Sequence, residues 1–236
     1  MTTIEHAPAP RGLEGLDLAA IAAVAGCLAF GAYVALAGPT GPIPMHMGVD
    51  GTVDRWGDRR EAGVLLGVIG VISGLAYLLV AWIVRRKPLT VAARRGLWFA
   101  QLILVLMIVM LAALFGAIIF GRFQPGDDAT PIARLVGAFL SGILLVTGAL
   151  VGKTTPNPLI GVRVYWTLTS RLAWDKANRL LGRLWVAIGL ISLPANLLAP
   201  QPIGVIVTIG ALIAAAVVAI IESWRVWLAD PDRRTA

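Results

Sequence analysis

At 236 residues the chain has the length of one or two soluble domains, yet it is 58% hydrophobic and only 14% charged, where a soluble domain carries about 25% charged residues. With a mean hydropathy of +0.83 it cannot cover its own surface with polar groups, so lipid must do so. The net charge of +7 is therefore not a nucleic-acid footprint and no direct nucleic-acid contact is expected; in a membrane protein Lys and Arg collect in cytoplasmic loops and beside anionic headgroups.

Residues 1–15 are polar, contain proline and carry one base, Arg11; they read as a disordered leader. Leu16 to Ala37 is the first apolar run long enough to cross a bilayer core of about 30 Å. Ala35-Leu36-Ala37 resembles a signal-peptidase site, but the run exceeds a signal core of about 7–15 residues and is read as a retained span. Cys27, the single cysteine, lies inside it and reads as a small buried apolar residue.

After the loop 38–62 the second span runs from Gly63 to Val84, which closes a first helix pair over 16–84. A basic loop, 85–95, leads to the third and fourth spans, Gly96 to Phe120 and Ile132 to Val151, a second pair over 96–151 broken by the turn signal at Gln124-Pro125-Gly126-Asp127-Asp128. The polar stretch 152–183 precedes the fifth and sixth spans, Leu184 to Leu198 and Ile203 to Ile221, a third pair over 184–221 followed by a charged tail, 222–236. Helix is the default for all six, because a spanning segment must satisfy its backbone hydrogen bonds internally. The expected fold is an all-α polytopic membrane protein with six transmembrane helices.

Charge sets the expected orientation. Loop 85–95 has five bases and no acid, and 152–183 has six bases and one acid. Loop 38–62 has three bases and four acids, and 121–131 has one base and two acids. The positive-inside rule then puts both termini in the cytoplasm. Trp82, Trp98, Trp166, Trp174, Trp185, Trp224 and Trp227 fall on that same face, and Trp56 on the other.

The outer loop carries Pro39, Pro42 and Pro44, which exclude helix. Asp50-Gly51 is a signal for a two-residue type I′ turn, with Met45 to Val49 and Thr52 to Trp56 as the arms of a small hairpin. His46, Asp50, Asp54 and Asp58 have no spacing that matches a zinc or calcium pattern; the acids are read as capping turns and pairing with Arg55, Arg59 and Arg60. On the inner side, Pro156-Asn157-Pro158 must end the fourth helix, and Gly161 permits a tight turn. Thr167 or Thr169 can cap a helix starting near Ser170. Arg171, Asp175, Arg179 and Arg183 recur every four residues, with Asp175 and Arg179 in the favourable order for an i,i+4 pair. Leu172, Leu180, Leu181 and Leu184 give the apolar side. The expectation is a basic amphipathic helix lying in the headgroup plane before the fifth span.

Two resemblances join these motifs. Pro44, His46, Gly51, Asp54, Trp56 and Gly57 resemble the P-x-H…G-x-x-D-x-W-G motif of a domain of unknown function found in bacterial six-helix membrane proteins; the aromatic residue that commonly follows the histidine is Met47 here. Asn157, Gly161, Arg163, Trp166, Thr167, Leu168, Trp174, Arg179 and Gly182 resemble the signature of the SdpI family of bacterial toxin-immunity membrane proteins. The histidine usual before the arginine is Asn178, and the usual Thr-Pro pair is Val164-Tyr165. The resemblance implies resistance to a secreted antimicrobial peptide toxin, with signalling through a cytoplasmic transcriptional repressor docked at the membrane. On that reading His46, Asp50, Asp54, Arg55 and Trp56 are toxin-sensing candidates. Asn157, Gly161, Arg163, Trp166, Thr167, Trp174, Asn178 and Arg179 are docking or coupling candidates.

Two other classes compete. A small-solute transporter would carry ionisable groups inside its spans, but Asp17, Arg134 and Glu222 lie at span edges, leaving Ser73, Ser141, Thr147, Ser192, Asn196 and Thr208 as interior polar groups, with Pro194 as a possible helix break. A membrane enzyme would need a nucleophile with a base or a metal set; His6, His46 and Cys27 supply neither, so no catalytic residue, metal or cofactor is expected.

Overall fold

In the computed structural model, residues 6–7, 12–48, 50–86, 89–157 and 160–233 are described. The element order is β1 (His6–Ala7), α1 (Gly15–Ala37), β2 (Ile43–Met47), β3 (Val53–Gly57), α2 (Arg59–Arg86), β4 (Leu89–Thr90), α3 (Val91–Phe120), α4 (Thr130–Val151), α5 (Tyr165–Thr169), α6 (Arg171–Leu198) and α7 (Ile203–Ala229). Among the described residues, α1, α2, α3, α4, α6 and α7 are long and apolar enough to cross a membrane, so the chain is a multi-pass membrane protein. Val49 and the leader residues 1–5 and 8–11 lie outside the described set. Within that leader, His6–Ala7 pair antiparallel with Leu89–Thr90.

In α2, α3 and α6 a capping side chain carries the helix into polar sequence ahead of its apolar run. Asp58 Oδ1 accepts from the Glu61 N–H at 2.9 Å and starts α2 at Arg59. Thr90 Oγ1 accepts from the Ala93 N–H at 3.2 Å and starts α3 at Val91. Such side-chain acceptors satisfy amides that the helix itself leaves open. The same rule changes the fifth span. Ser170, not Thr167 or Thr169, caps α6, its Oγ accepting from the Ala173 N–H at 2.9 Å. From there α6 runs without interruption through Arg183 and Pro194 to Leu198. The separate interfacial helix expected over 170–183 is thus the first half of a spanning helix, and Pro194 does not break it.

The helices form two three-helix groups. In α1–α2–α3, Cys27, Val34, Leu66 and Ile108 make a core that Ile43 of the hairpin closes. In α4–α6–α7, Ala177, Leu181, Ala215 and Ala219 pack around Val162 of the 152–170 loop. Each group has a point of close backbone approach. A Cβ on Gly31 would meet the Gly63 carbonyl at 2.8 Å, and one on Gly148 would meet the Gly182 carbonyl at 2.9 Å. Small residues at such crossings let membrane helices pack tightly where no hydrophobic effect drives them together.

Two sets of polar side chains tie the helices to one another. The Asp17 carboxylate bonds the Tyr77 hydroxyl at 2.9 Å and Arg85 at 2.7 Å, pinning α1 to α2. Asn196, fully buried, donates to the Gly137 carbonyl at 3.2 Å, Ser141 Oγ at 3.3 Å and Thr208 Oγ1 at 3.0 Å. Ser141 and Ser192 are 2.7 Å apart. Ser141 of α4, Ser192 and Asn196 of α6 and Thr208 of α7 therefore converge in helix-to-helix bonds, while Thr147 bonds the Ile143 carbonyl of its own helix.

Candidate functional site

The polar residues collect at the two ends of the helix bundle. At the first end, β2 and β3 form the hairpin, pairing Ile43 with Gly57, Pro44 with Trp56, His46 with Arg55 and Met47 with Val53, with register irregularities around His46. The connection is longer than a two-residue type I′ turn. The Gly51 N–H bonds the Gly48 carbonyl at 3.0 Å and the Gly48 N–H bonds the Thr52 carbonyl at 2.8 Å. Gly51 has φ +81. Three-residue hairpin loops place glycine at such a left-handed position.

The Asp50 carboxylate accepts from the Thr52 N–H at 3.1 Å and the Thr52 hydroxyl at 2.9 Å. These bonds, the backbone one first, hold Asp50 below the ordinary carboxylate range. His46 Nδ1 lies 2.6 Å from Asp54 Oδ1, both exposed. Arg55 pairs with Glu61, the first-turn acid of α2, rather than with a hairpin acid.

The hairpin does not stand alone. A Cβ on Gly51 would meet Pro202 at 3.1 Å, so the hairpin tip sits on the turn between α6 and α7. Between them is a groove of about 510 Å³ lined by Asp50, Trp56, Asp127, Asp128 and Gln201. Asp128 is also held below the ordinary range, first by the Thr130 N–H, then by the Thr130 hydroxyl and by Arg134. Of the sensing candidates, Asp50 and Trp56 face this groove; His46, Asp54 and Arg55 are placed elsewhere on the hairpin. Asp127, Asp128 and Gln201 were missed, because only the fold brings three separate loops together.

At the opposite end, the loop after α4 is sewn together by its own side chains. Asn157 Nδ2 donates to the Thr155 carbonyl at 2.8 Å and the Ile160 carbonyl at 2.9 Å, and its Oδ1 accepts from the Ile160 N–H at 2.7 Å. Thr155 Oγ1 reaches the Ala93 carbonyl of α3 at 3.1 Å. Thr167 donates to the Val162 carbonyl at 2.7 Å and accepts from the Val164 N–H at 3.1 Å. Trp174 is fully buried, and its Nε1 donates to the Thr154 carbonyl at 3.0 Å.

Asn178 is the hinge between this loop and α6. Its Oδ1 accepts from the Val162 N–H at 2.8 Å while its Nδ2 donates to the Trp174 carbonyl at 3.0 Å. Gly161, at φ +115, passes so close that a Cβ there would sit 2.5 Å from Asn178 Oδ1. The loop also grips α7. Ser170 Oγ bonds Asp230, Trp227 Nε1 donates to Thr169 Oγ1 at 3.1 Å, and the Tyr165 and Trp227 rings meet edge to face at 6.0 Å.

The docking candidates therefore divide. Asn157, Gly161, Thr167, Trp174 and Asn178 are framework, bonded or packed inward. Arg163 and Arg179 are exposed and Trp166 is half-buried. Arg171 pairs with Asp175 at 3.1 Å, so the favourable i,i+4 partner expected of Asp175, Arg179, is replaced by the arginine before it. Asp230, Thr169 and Trp227 were missed because no local spacing relates the tail to the loop.

No curated protein and no solved structure matches the chain. A family model does: that of the SdpI/YfhL protein family, over residues 153–223. This match covers the loop just described, α5, α6 and most of α7, so that part of the chain is similar to the SdpI family.

Proposed function

We propose that the chain is a bacterial membrane immunity protein that intercepts a secreted cationic peptide at the hairpin end and docks a cytoplasmic repressor at the opposite end. The match to the SdpI family model over residues 153–223 supports a membrane protein of the immunity type. The observation that carries the finer reading is the groove between the hairpin, the 124–130 loop and the α6–α7 turn, where Asp50, Asp127 and Asp128 stand beside Trp56. Asp50 and Asp128, held below the ordinary carboxylate range by their own loop amides, attract basic side chains, and an indole offers both apolar contact and a cation–π face.

In the orientation expected from the loop charges, this groove faces the outside, where a secreted peptide arrives first. The contact of Gly51 with Pro202 joins the groove to α6 and α7, whose far ends hold the loop through Asn178 and Asp230. Exposed Arg163, Tyr165 and Leu168 would then give the repressor a mixed basic and apolar surface.

The test is survival of a sensitive bacterial host expressing the chain and challenged with a cationic antimicrobial peptide. Asp50→Asn, Trp56→Ala and the pair Asp127→Asn/Asp128→Asn are expected to abolish protection at unchanged membrane levels. Protection that survives all three sinks the proposed groove.

A further inference from the structure

We infer that the chain holds one anionic phospholipid in a crevice between α3, α4 and α6, a site independent of the peptide-binding groove. The crevice, of about 1200 Å³, lies at the end opposite the hairpin. Its upper part is lined by Arg95 of α3, Lys153 after α4, and Arg171, Arg179 and Arg183 of α6. Among the described residues, Asp175 is the one acid on its wall, and it is taken by Arg171 at 3.1 Å. Among the described residues, Arg95, Arg179 and Arg183 form no ion pair. Lys153 Nζ is held across the crevice, 5.4 Å from the Phe99 ring centre. Bases converging from three elements with no acid left to answer them fit a phosphate group.

The lower part of the same crevice is apolar and tells lipid from a soluble anion. Phe99, Ala149, Val186 and Leu190 line it, and Leu190 is 61% exposed. From Arg183 to Leu190 the wall descends about 10 Å along α6 at about 1.5 Å per residue, into the span. Beside Arg183, at the level of the mouth, Gly148 and Gly182 bring α4 and α6 into backbone contact and close the crevice behind it. A basic mouth above an apolar slot at the edge of a bilayer matches the headgroup and upper acyl chain of a phospholipid. An acidic segment of a soluble partner would satisfy the mouth and leave the slot empty.

The experiment is native mass spectrometry of the delipidated full chain in detergent, titrated with phosphatidylglycerol, phosphatidylcholine of the same acyl chains, or inorganic phosphate. One phosphatidylglycerol should bind in preference to phosphatidylcholine, and phosphate should not displace it at equal concentration. Arg183→Gln should weaken it about fivefold, and Arg95→Gln/Arg179→Gln/Arg183→Gln roughly a hundredfold, at about 1 kcal/mol per base near an anionic headgroup. Ala187→Phe, in the apolar slot, should weaken lipid while leaving the bases in place. Lys176→Gln, an exposed base on α6 outside the crevice, should change nothing. All the substituted residues are exposed, and thermal unfolding of each variant confirms the fold; Arg183→Gln and Ala187→Phe serve if the triple variant does not fold. Equal binding of the two lipids, displacement by phosphate, or an equal loss in Lys176→Gln would overturn the site.

Discussion

The two polar ends of this molecule use their side chains in opposite ways. At the hairpin end the distinctive residues stay at the surface: His46, Asp50, Asp54 and Arg55 are exposed, with His46 bonded to Asp54, Asp50 to its own turn and Arg55 to Glu61 at the start of α2. At the loop end they turn inward. Asn157, Thr167, Trp174 and Asn178 are buried, and each closes backbone groups that the loop would otherwise leave open. A surface motif can be spent on a ligand, whereas a buried one is spent on holding a shape. The signature resemblance is thus largely a resemblance of architecture, and its exposed members, Arg163, Leu168 and Arg179, are the ones free to meet something else.

The largest effect that tests this contrast is at Trp174. Trp174→Ala removes a fully buried indole and the donor to the Thr154 carbonyl. Loss of a buried Trp costs about 3–5 kcal/mol. Unfolding of the purified protein in detergent should show a loss of that order, together with proteolytic opening of the 152–170 loop. A loss below about 1 kcal/mol would mean that the loop is not framework.

The unequal legibility of the two ends follows from the same contrast. The six spans are legible because continuous apolar runs admit little else, and the hairpin because a proline-rich loop with Asp50-Gly51 has few alternatives. The helix ends are less so: Asp58, Thr90 and Ser170 extend helices into polar sequence. The four-residue recurrence from Arg171 to Arg183 does mark a helix, but the change to apolar sequence at Leu184 is not a boundary. At 28 residues, α6 is about 42 Å long at about 1.5 Å per residue, more than a bilayer core of about 30 Å. Its basic first turns therefore stand beyond the lipid core on the same axis. Asn178 reads as a departure from a motif, and its bond to the Val162 N–H depends on a loop path that sequence spacing does not give. The acidic groove needs three loops brought together by the bundle.

A smaller effect is expected at Asn178 itself. Asn178→Leu deletes the acceptor for the Val162 N–H and leaves a buried amide unsatisfied, at about 1–3 kcal/mol. Asn178→His restores the residue usual in the SdpI signature. Imidazole Nδ1 stands close to where the amide Oδ1 stands, so the acceptor survives and the loss is smaller than with leucine. Unfolding of the two variants side by side separates the roles: equal losses would show that volume next to Gly161, rather than the hydrogen bond, fixes the residue here.

Acidification sharpens the comparison further. Asp50 and Asp128 are held below their ordinary carboxylate range, so the stability they lend their turns is complete above the unfolded-chain value of about 3.9. It is lost as pH falls through their lower folded-state values. The Thr52 and Thr130 amide resonances should therefore titrate with midpoints below about 3.9, and midpoints at or above it would contradict the turn geometry.

The smallest effect on the fold is expected at the exposed His46–Asp54 pair. Asp54→Asn leaves a polar, nearly isosteric group 2.6 Å from His46 Nδ1 and removes only the charge. Exposed ion pairs contribute about 0–1 kcal/mol, so unfolding should barely change, in contrast with Trp174→Ala. Survival under peptide challenge is the discriminating measurement. If the pair meets the peptide, protection drops while stability holds, a separation no framework residue can show. If stability and protection both remain, the hairpin's role narrows to the groove face formed by Asp50 and Trp56. If both fall together, the hairpin is framework like the loop, and the difference between the two ends disappears.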